Sequence, residues 1–191
     1  HPIEILGHNV AITVCEDIWN EEEFTTRQLY QRDPVEELHE MGCDVLLNIS
    51  ASPFYKGKPQ FRQQMLSGIA QKYGFPVVYV NLVGGDDSLI FDGHSMVLND
   101  QGELLWVGKG FEEDFALITL DSPPISHTWA PDMEIVRQAL VVGIRDYMHK
   151  CGFKKVVLGL SGGIDSAVTA VLAQQALGAE NVMGISMPSQ Y

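Results

Sequence analysis

Between Val156 and Ser166 the sequence reads V-V-L-G-L-S-G-G-I-D-S, and no other stretch leaves the chain so few ways to fold. Val156 to Leu158 and Leu160 are apolar around one glycine, the composition of a short buried strand, and Lys154 and Lys155 mark its entry from solvent. Ser161, Gly162 and Gly163 form a small-residue turn across which backbone can approach a ligand closely. Asp165 and Ser166 then open an apolar run, Ala167 to Leu177, that reads as a helix. Free backbone N–H groups at a helix start, a serine hydroxyl and a carboxylate able to hold a metal make an anion-binding geometry. The loop is not of the G-x-x-x-x-G-K-[ST] kind, because no lysine follows the glycines. On residues alone, the alternative is an ordinary Ser/Gly turn in which Asp165 caps the helix.

The flanking segments extend that unit. Asp132 to Lys150 is an amphipathic helix that ends in basic residues before Cys151-Gly152, and Val182 to Met187 reads as a second strand, with Met187 to Tyr191 as the loop after it. Helix, strand, loop, helix, strand is the opening of a doubly wound parallel sheet, whose ligand lies at the carboxyl ends of the strands. Upstream, Ser122-Pro123-Pro124-Ile125-Ser126 breaks regular structure, which divides the chain into residues 1–121, a linker 122–131 and residues 132–191.

The first part alternates strands and helices. Strands are predicted over Asn9 to Val14, Asp44 to Ile49 and Val77 to Asn81, and helices over Pro34 to Met41 and Arg62 to Tyr73. Leu82 to Ser95 reads as a loop, Met96 to Leu98 and Leu104 to Val107 as a hairpin around Asn99 to Gly102, and Phe115 to Leu120 as one more strand. The acidic run Glu21 to Glu23 reads as solvated surface. Cys15 ends the first strand beside Glu16 and Asp17, where α/β proteins place reactive groups, although composition alone favours a structural, buried cysteine. His94 stands in a turn with no second His, Cys or nearby acid at ligand spacing, and reads as a surface or packing residue.

A formal net charge of −13, without a cluster of Lys and Arg, argues against a nucleic-acid or anionic-membrane partner and for a small-molecule enzyme. Cys15, Cys43 and Cys151 are too scattered for a disulfide framework or zinc site, which points to a reducing cytoplasm. No run approaches the ~20 apolar residues of a membrane span. His1-Pro2 is neither an initiator nor a targeting sequence, so the chain reads as an internal stretch of a longer protein.

Four segments carry a family resemblance. S-G-G-I-D-S resembles the pyrophosphate-binding S-G-G-x-D-S loop of the ATP pyrophosphatase synthetases. Cys15-Glu16-Asp17-Ile18-Trp19 resembles the nucleophile segment of the nitrilase superfamily, in the form found in the glutaminase domain of glutamine-dependent NAD⁺ synthetases. Asn48 to Lys58 resembles that family's N-x-S-x-S-P-[FY]-x-x-G-K segment. Gly84 to Ser95 resembles its G-G-Q-D-E-L-x-F-D-G-x-S segment, with Asp86 in place of Gln and Ser88 in place of Glu. Relative to the family, residues 20–41 look longer, as an inserted loop would.

The resemblance implies an α/β chain: the C-terminal half of a nitrilase-like α-β-β-α sandwich, then the start of a doubly wound, adenine nucleotide α-hydrolase-like sheet. It implies Cys15 as nucleophile, with Glu16, Ser52 and Lys58 binding glutamine, and with a Glu base and a Lys tens of residues before the cysteine. It also implies that Gly159, Leu160, Ser161, Gly162, Gly163, Ile164, Asp165, Ser166 and Met187 bind ATP, and that Asp165 holds Mg²⁺, which replaces the charge a lysine would give. The implied reaction is ATP-dependent amidation of nicotinic acid adenine dinucleotide by ammonia from glutamine, in a cytoplasmic homo-oligomer. Another glutamine-fed ATP pyrophosphatase, a simple nitrilase-type amidase and a non-catalytic assembly module are the alternatives.

Overall fold

The structure, a computed structural model, describes residues 1–20 and 30–188. The readings of Glu21 to Glu23 as surface and of Ser189 to Tyr191 as loop lie outside the described residues, as does part of the 20–41 segment. His1–Val83 and Phe91–Trp129 form one compact unit, and Gly84–Ile90 with Ala130–Tyr191 a second.

In the first unit, β1 (Ile3–Ile5), β2 (His8–Val14), β3 (Val45–Ser50), β4 (Val77–Asn81), β7 (Met96–Leu98) and β8 (Leu104–Val107) form one sheet in that order. β2, β3 and β4 are parallel, and β1, β7 and β8 are antiparallel to their neighbours. The parallel connections run through α1 (Pro34–Glu40) and α2 (Lys58–Tyr73), as parallel pairing requires. Asp33 caps α1 by accepting from the Val35 N–H, with Pro34 in the first turn. One sheet face supplies Ala11, Leu46, Val77 and Tyr79, which meet Val35 of α1 and Met65, Leu66 and Ile69 of α2 in the core. The opposite face is apolar yet open, with Val14, Ile49 and Val80 each about half exposed.

Expectations for three segments of residues 1–121 change. Leu82 to Ser95 is not simply loop: it contains β5 (Val83–Asp86) and β6 (Leu89–Asp92), which pair as a hairpin despite a glycine- and acid-rich sequence. Phe115 to Leu120 is not a strand. Ala116, Ile118 and Leu120 are half-buried between exposed Phe115, Leu117 and Thr119, so the alternation is strand-like, but no neighbouring strand among the described residues completes a ladder. The second helix starts at Lys58 rather than Arg62, because Gly57 supplies a left-handed N-cap (φ +86°) and Pro59 fits the first turn.

In the second unit α3 (Asp132–Lys150) packs on α4 (Ile164–Leu177), and β9 (Val156–Leu160) pairs in parallel with β10 (Val182–Ser186). β9 was expected to be buried but is largely exposed, Val157 at 59%, because the described residues give it a single partner strand. The Gly84–Ile90 segment lies on α3. The Gly85 N–H donates to Asp146 Oδ2 (2.8 Å), and a side chain on Gly85 would start 3.4 Å from Gly143 Cα.

At the carboxyl end of the first unit's sheet a charge pair lies fully inside: Arg62 of α2 and Asp92 of β6 are both 0% exposed. The guanidinium bonds Asp92 Oδ1 and also donates to the Gly93 carbonyl (3.2 Å). Removing one partner strands the other's charge in the interior, at about 3–5 kcal/mol. We expect Arg62→Met in the intact protein to lower unfolding free energy by about that amount, measured by urea denaturation. A loss below about 1 kcal/mol would show that water reaches Asp92.

Candidate active site

Cys15 sits where β2 ends and a single 3-10 turn, Cys15–Ile18, begins. Its backbone is left-handed (φ +48°), a conformation that costs a residue with a side chain about 1–3 kcal/mol. The surroundings enforce it. Asp17 Oδ2 accepts from the Val14 N–H (2.9 Å), Asp17 Oδ1 accepts from the Tyr30 hydroxyl (3.0 Å), and Ile18 is buried in the core. The bond to Asp17, with partial burial, pushes the Tyr30 phenol above its usual range. The half-buried Cys15 Sγ accepts from the Ala51 N–H at 3.4 Å, so the sulfur faces the end of the neighbouring strand. Glu16 follows on the turn and is exposed.

That neighbouring strand ends in a chain of buried polar groups. Asn48 Nδ2 donates to Thr13 Oγ1 (3.0 Å), the Ser50 hydroxyl to Asn48 Oδ1 (2.6 Å), and the Ser52 N–H to Asn81 Oδ1 (2.9 Å). Ser52 is itself buried, beside the Tyr79 hydroxyl, which burial pushes up and the Arg62 charge and the two serines pull down.

Lys58 opens α2. Its ammonium lies 3.9 Å from the Trp19 ring centroid and 4.8 Å from that of Tyr55, with Phe61 stacked on Trp19. Burial, and next the Arg62 charge, lower it to about 8 against the pull of Asp92. Sequence reading missed this aromatic box. Its signal was present in Trp19, four residues after the cysteine, and Tyr55, three before the lysine.

His94 was expected to lack a nearby acid, and the structure corrects this. Its Nδ1 lies 2.7 Å from Asp92 Oδ2, two residues away, in a side chain only 11% exposed. The left-handed backbone of His94 (φ +47°) folds the ring back over Asp92, which a linear scan for spacing does not register. The ring also packs edge-on against Trp129 (5.2 Å), whose indole N–H donates to Gln63 (2.7 Å). Asp86, where the resembled family has Gln, pairs with Lys150 (2.8 Å) on α3, and Ser88 lines a cleft with Tyr147 and Met148.

The second constellation is the turn between β9 and α4. Gly162 takes φ +82° there, open only to a residue without a side chain at low cost. Ser166 Oγ accepts from the Ser161 N–H (3.3 Å) and donates to the Gly163 carbonyl (3.0 Å), while Ser161 Oγ accepts from the Gly163 N–H (3.3 Å). The N-cap of α4 is Gly163 with no side-chain capping bond, so Asp165 does not cap the helix. Leu160 and Ile164 are exposed on either side of the turn, and the Met187 methyl lies 3.1 Å from where a Gly159 Cβ would stand. First-turn N–H groups, two hydroxyls and one exposed carboxylate suit a phosphate and a cation shared with it. Among the described residues no three acidic, His or Cys side chains cluster to hold a metal by themselves. One carboxylate with phosphate oxygens is a common Mg²⁺ arrangement.

Residues 7–128 match the family model described as Carbon-nitrogen hydrolase, and residues 136–191 that described as NAD synthase. A glutamine-dependent NAD(+) synthetase of Synechocystis sp. is 44% identical over 189 residues, covering 95% of this chain and 34% of that protein. Its counterpart in Thermotoga maritima is 36% identical, covering 99% of this chain and 38% of that protein. The solved glutamine-dependent NAD+ synthetase of Acinetobacter baumannii, in complex with adenosine diphosphate, superposes with a TM-score of 0.83 at 38% identity, over 100% of this chain and 35% of that one. The chain thus spans about a third of the length of the relatives it matches.

Proposed function

The chain belongs to the carbon–nitrogen hydrolase family, and from that premise we propose that it is the central stretch of a glutamine-dependent NAD⁺ synthetase. The observation that carries this reading is one chain holding a strained cysteine under a backbone N–H and, in a separate compact unit, a strand–S-G-G-I-D-S–helix turn with an uncapped helix start. We assign residues 1–121 to the glutaminase, 122–131 to a linker and 132–191 to the start of the synthetase.

Glutamine's carboxylate would meet the Lys58 ammonium and the Ser52 hydroxyl, with Glu16 on the amino group. The Cys15 thiol loses its proton to the Glu base that the resemblance places before His1. The sulfur attacks the side-chain amide carbon, and the nitrogen departs as ammonia on taking that proton. Water then breaks the γ-glutamyl thioester and restores the thiol. In the second unit Ser161, Ser166 and the N–H groups of Gly162, Ile164 and Asp165 would orient ATP's phosphates, with Met187 beside the base. Mg²⁺, held by Asp165 and phosphate oxygens, would offset the charge of the departing pyrophosphate. Ammonia would then displace AMP from the adenylated carboxylate of nicotinic acid adenine dinucleotide.

In the full-length enzyme, Cys15→Ala is expected to abolish NAD⁺ synthesis from glutamine and to leave synthesis from free ammonia within about twofold, because the two sites are in separate units. Loss of both activities in a folded variant would refute the two-site assignment. Asp165→Asn should raise the Mg²⁺ concentration needed for half-maximal synthesis from either nitrogen source by about tenfold, with glutamine hydrolysis alone unchanged.

Lys58 generates a pH dependence. It is protonated below about 8 and neutral above, so affinity for glutamine's carboxylate is present at lower pH and is lost as pH rises through that value. Calorimetric titration of glutamine into the Cys15→Ala enzyme should show affinity falling between about pH 7 and about pH 9, and Lys58→Arg should hold it level across that range.

A further inference from the structure

The bonds that hold the turn after β2 converge on one side chain. Asp17 reaches back across Cys15, and its Oδ2 accepts from the Val14 N–H (2.9 Å), on the other side of the cysteine along the chain. Its Oδ1 accepts from the Tyr30 hydroxyl (3.0 Å). Tyr30 is held at its other end as well, since its backbone N–H donates to Oδ1 of the buried Asn20 (3.0 Å). One tyrosine thus spans from Asn20, just past the turn, to the carboxylate that closes it. Neither Asp17 nor Tyr30 has a part in the mechanism above.

We infer that Asp17 and Tyr30 are positioning residues for Cys15: Asp17 locks the left-handed backbone that places the sulfur, and Tyr30 locks Asp17. This rests on Cys15 being the nucleophile. The bond from Val14 to Asp17 closes a ring of chain that contains both soft dihedral angles of Cys15. A return of Cys15 from φ +48° to an ordinary negative φ therefore pulls Asp17 off the Val14 N–H. The sulfur would move with it, because φ sets the direction in which Cβ leaves the backbone; at the observed angle Sγ stands 3.4 Å from the Ala51 nitrogen at the end of β3. A displacement of about 1 Å can cost a reacting group about a hundredfold in rate. Tyr30 adds what Asp17 lacks by itself. A carboxylate on a surface turn can rotate about its own side-chain bonds, and a second, charge-assisted bond to a hydroxyl anchored through Asn20 leaves it one orientation. That bond also pushes the Tyr30 phenol above its usual range, so the hydroxyl stays a donor at neutral and mildly alkaline pH.

In the full-length enzyme, kcat and KM for glutamine hydrolysis are measured together with the rate at which iodoacetamide alkylates Cys15, the exposed Cys151 serving as internal reference. Asp17→Ala should lower kcat and slow alkylation of Cys15 by about tenfold or more, with KM within about threefold. Asp17→Asn, which keeps an acceptor for the Val14 N–H, should recover most of both. Tyr30→Phe removes only the hydroxyl and should lower kcat by about threefold. Because Tyr30 acts through Asp17, adding Tyr30→Phe to Asp17→Ala should change kcat by less than about 1.5-fold. Ammonia-dependent NAD⁺ synthesis checks that each variant is folded. If Asp17→Ala fails that check, Tyr30→Phe alone decides: a fall in kcat and in alkylation at unchanged KM supports the inference, and no fall overturns it. In folded variants, an unchanged kcat, a change in KM alone, or effects of the two substitutions that multiply would overturn it. The underlying reading fails separately, if Cys15→Ala still hydrolyses glutamine.

Discussion

Arg62 and Asp92 are both wholly excluded from water, and neither charge could remain there without the other. Their pairing joins an early helix to a strand thirty residues later, and each partner has a second obligation. Arg62 also bonds the Gly93 carbonyl, and Asp92 also bonds His94. The carboxyl end of the sheet is therefore closed by charge rather than by apolar packing. Such a pair is weak as a source of net stability but exacting about geometry, since any shift of one partner leaves a buried charge uncompensated.

The cysteine turn depends on the same logic at lower cost. A left-handed non-glycine residue persists only where its surroundings outweigh the strain, and here Asp17 bonds the strand on one side and Tyr30 on the other. The lysine opposite is treated differently. Placed over Trp19 and Tyr55, it keeps an electrostatic partner in the ring faces, while loss of water and next the Arg62 charge lower its ammonium to about 8.

In the second unit the phosphate-type turn is built from its own side chains. Ser161 and Ser166 bond across the turn and to its backbone, so the loop is shaped before any ligand arrives, and the first-turn N–H groups remain uncommitted. The Gly84–Ile90 segment shows how a departure from a family pattern can be absorbed. Asp86 is shorter than the glutamine it replaces, and it finds a cation in Lys150.

Local sequence determined much of this. The strands Val77–Asn81, Met96–Leu98, Leu104–Val107 and Val156–Leu160 and the helix Asp132–Lys150 fall where period and punctuation put them, because each pattern is set by residues adjacent along the chain. In the first unit Cys15 and, after β3, Ser52 and Lys58, and in the second the S-G-G-I-D-S turn, were likewise legible as short motifs. What the sequence could not show was which distant groups would meet. It placed His94 without an acid, Lys58 ahead of the second helix, and Phe115 to Leu120 in a strand. Each of these was decided by tertiary contacts: a backbone reversal at His94, an aromatic box closed by Trp19, and the lack of a partner strand among the described residues. A hydrogen bond or an ion pair is specified by two positions at once, and a scan along one chain registers only one of them at a time.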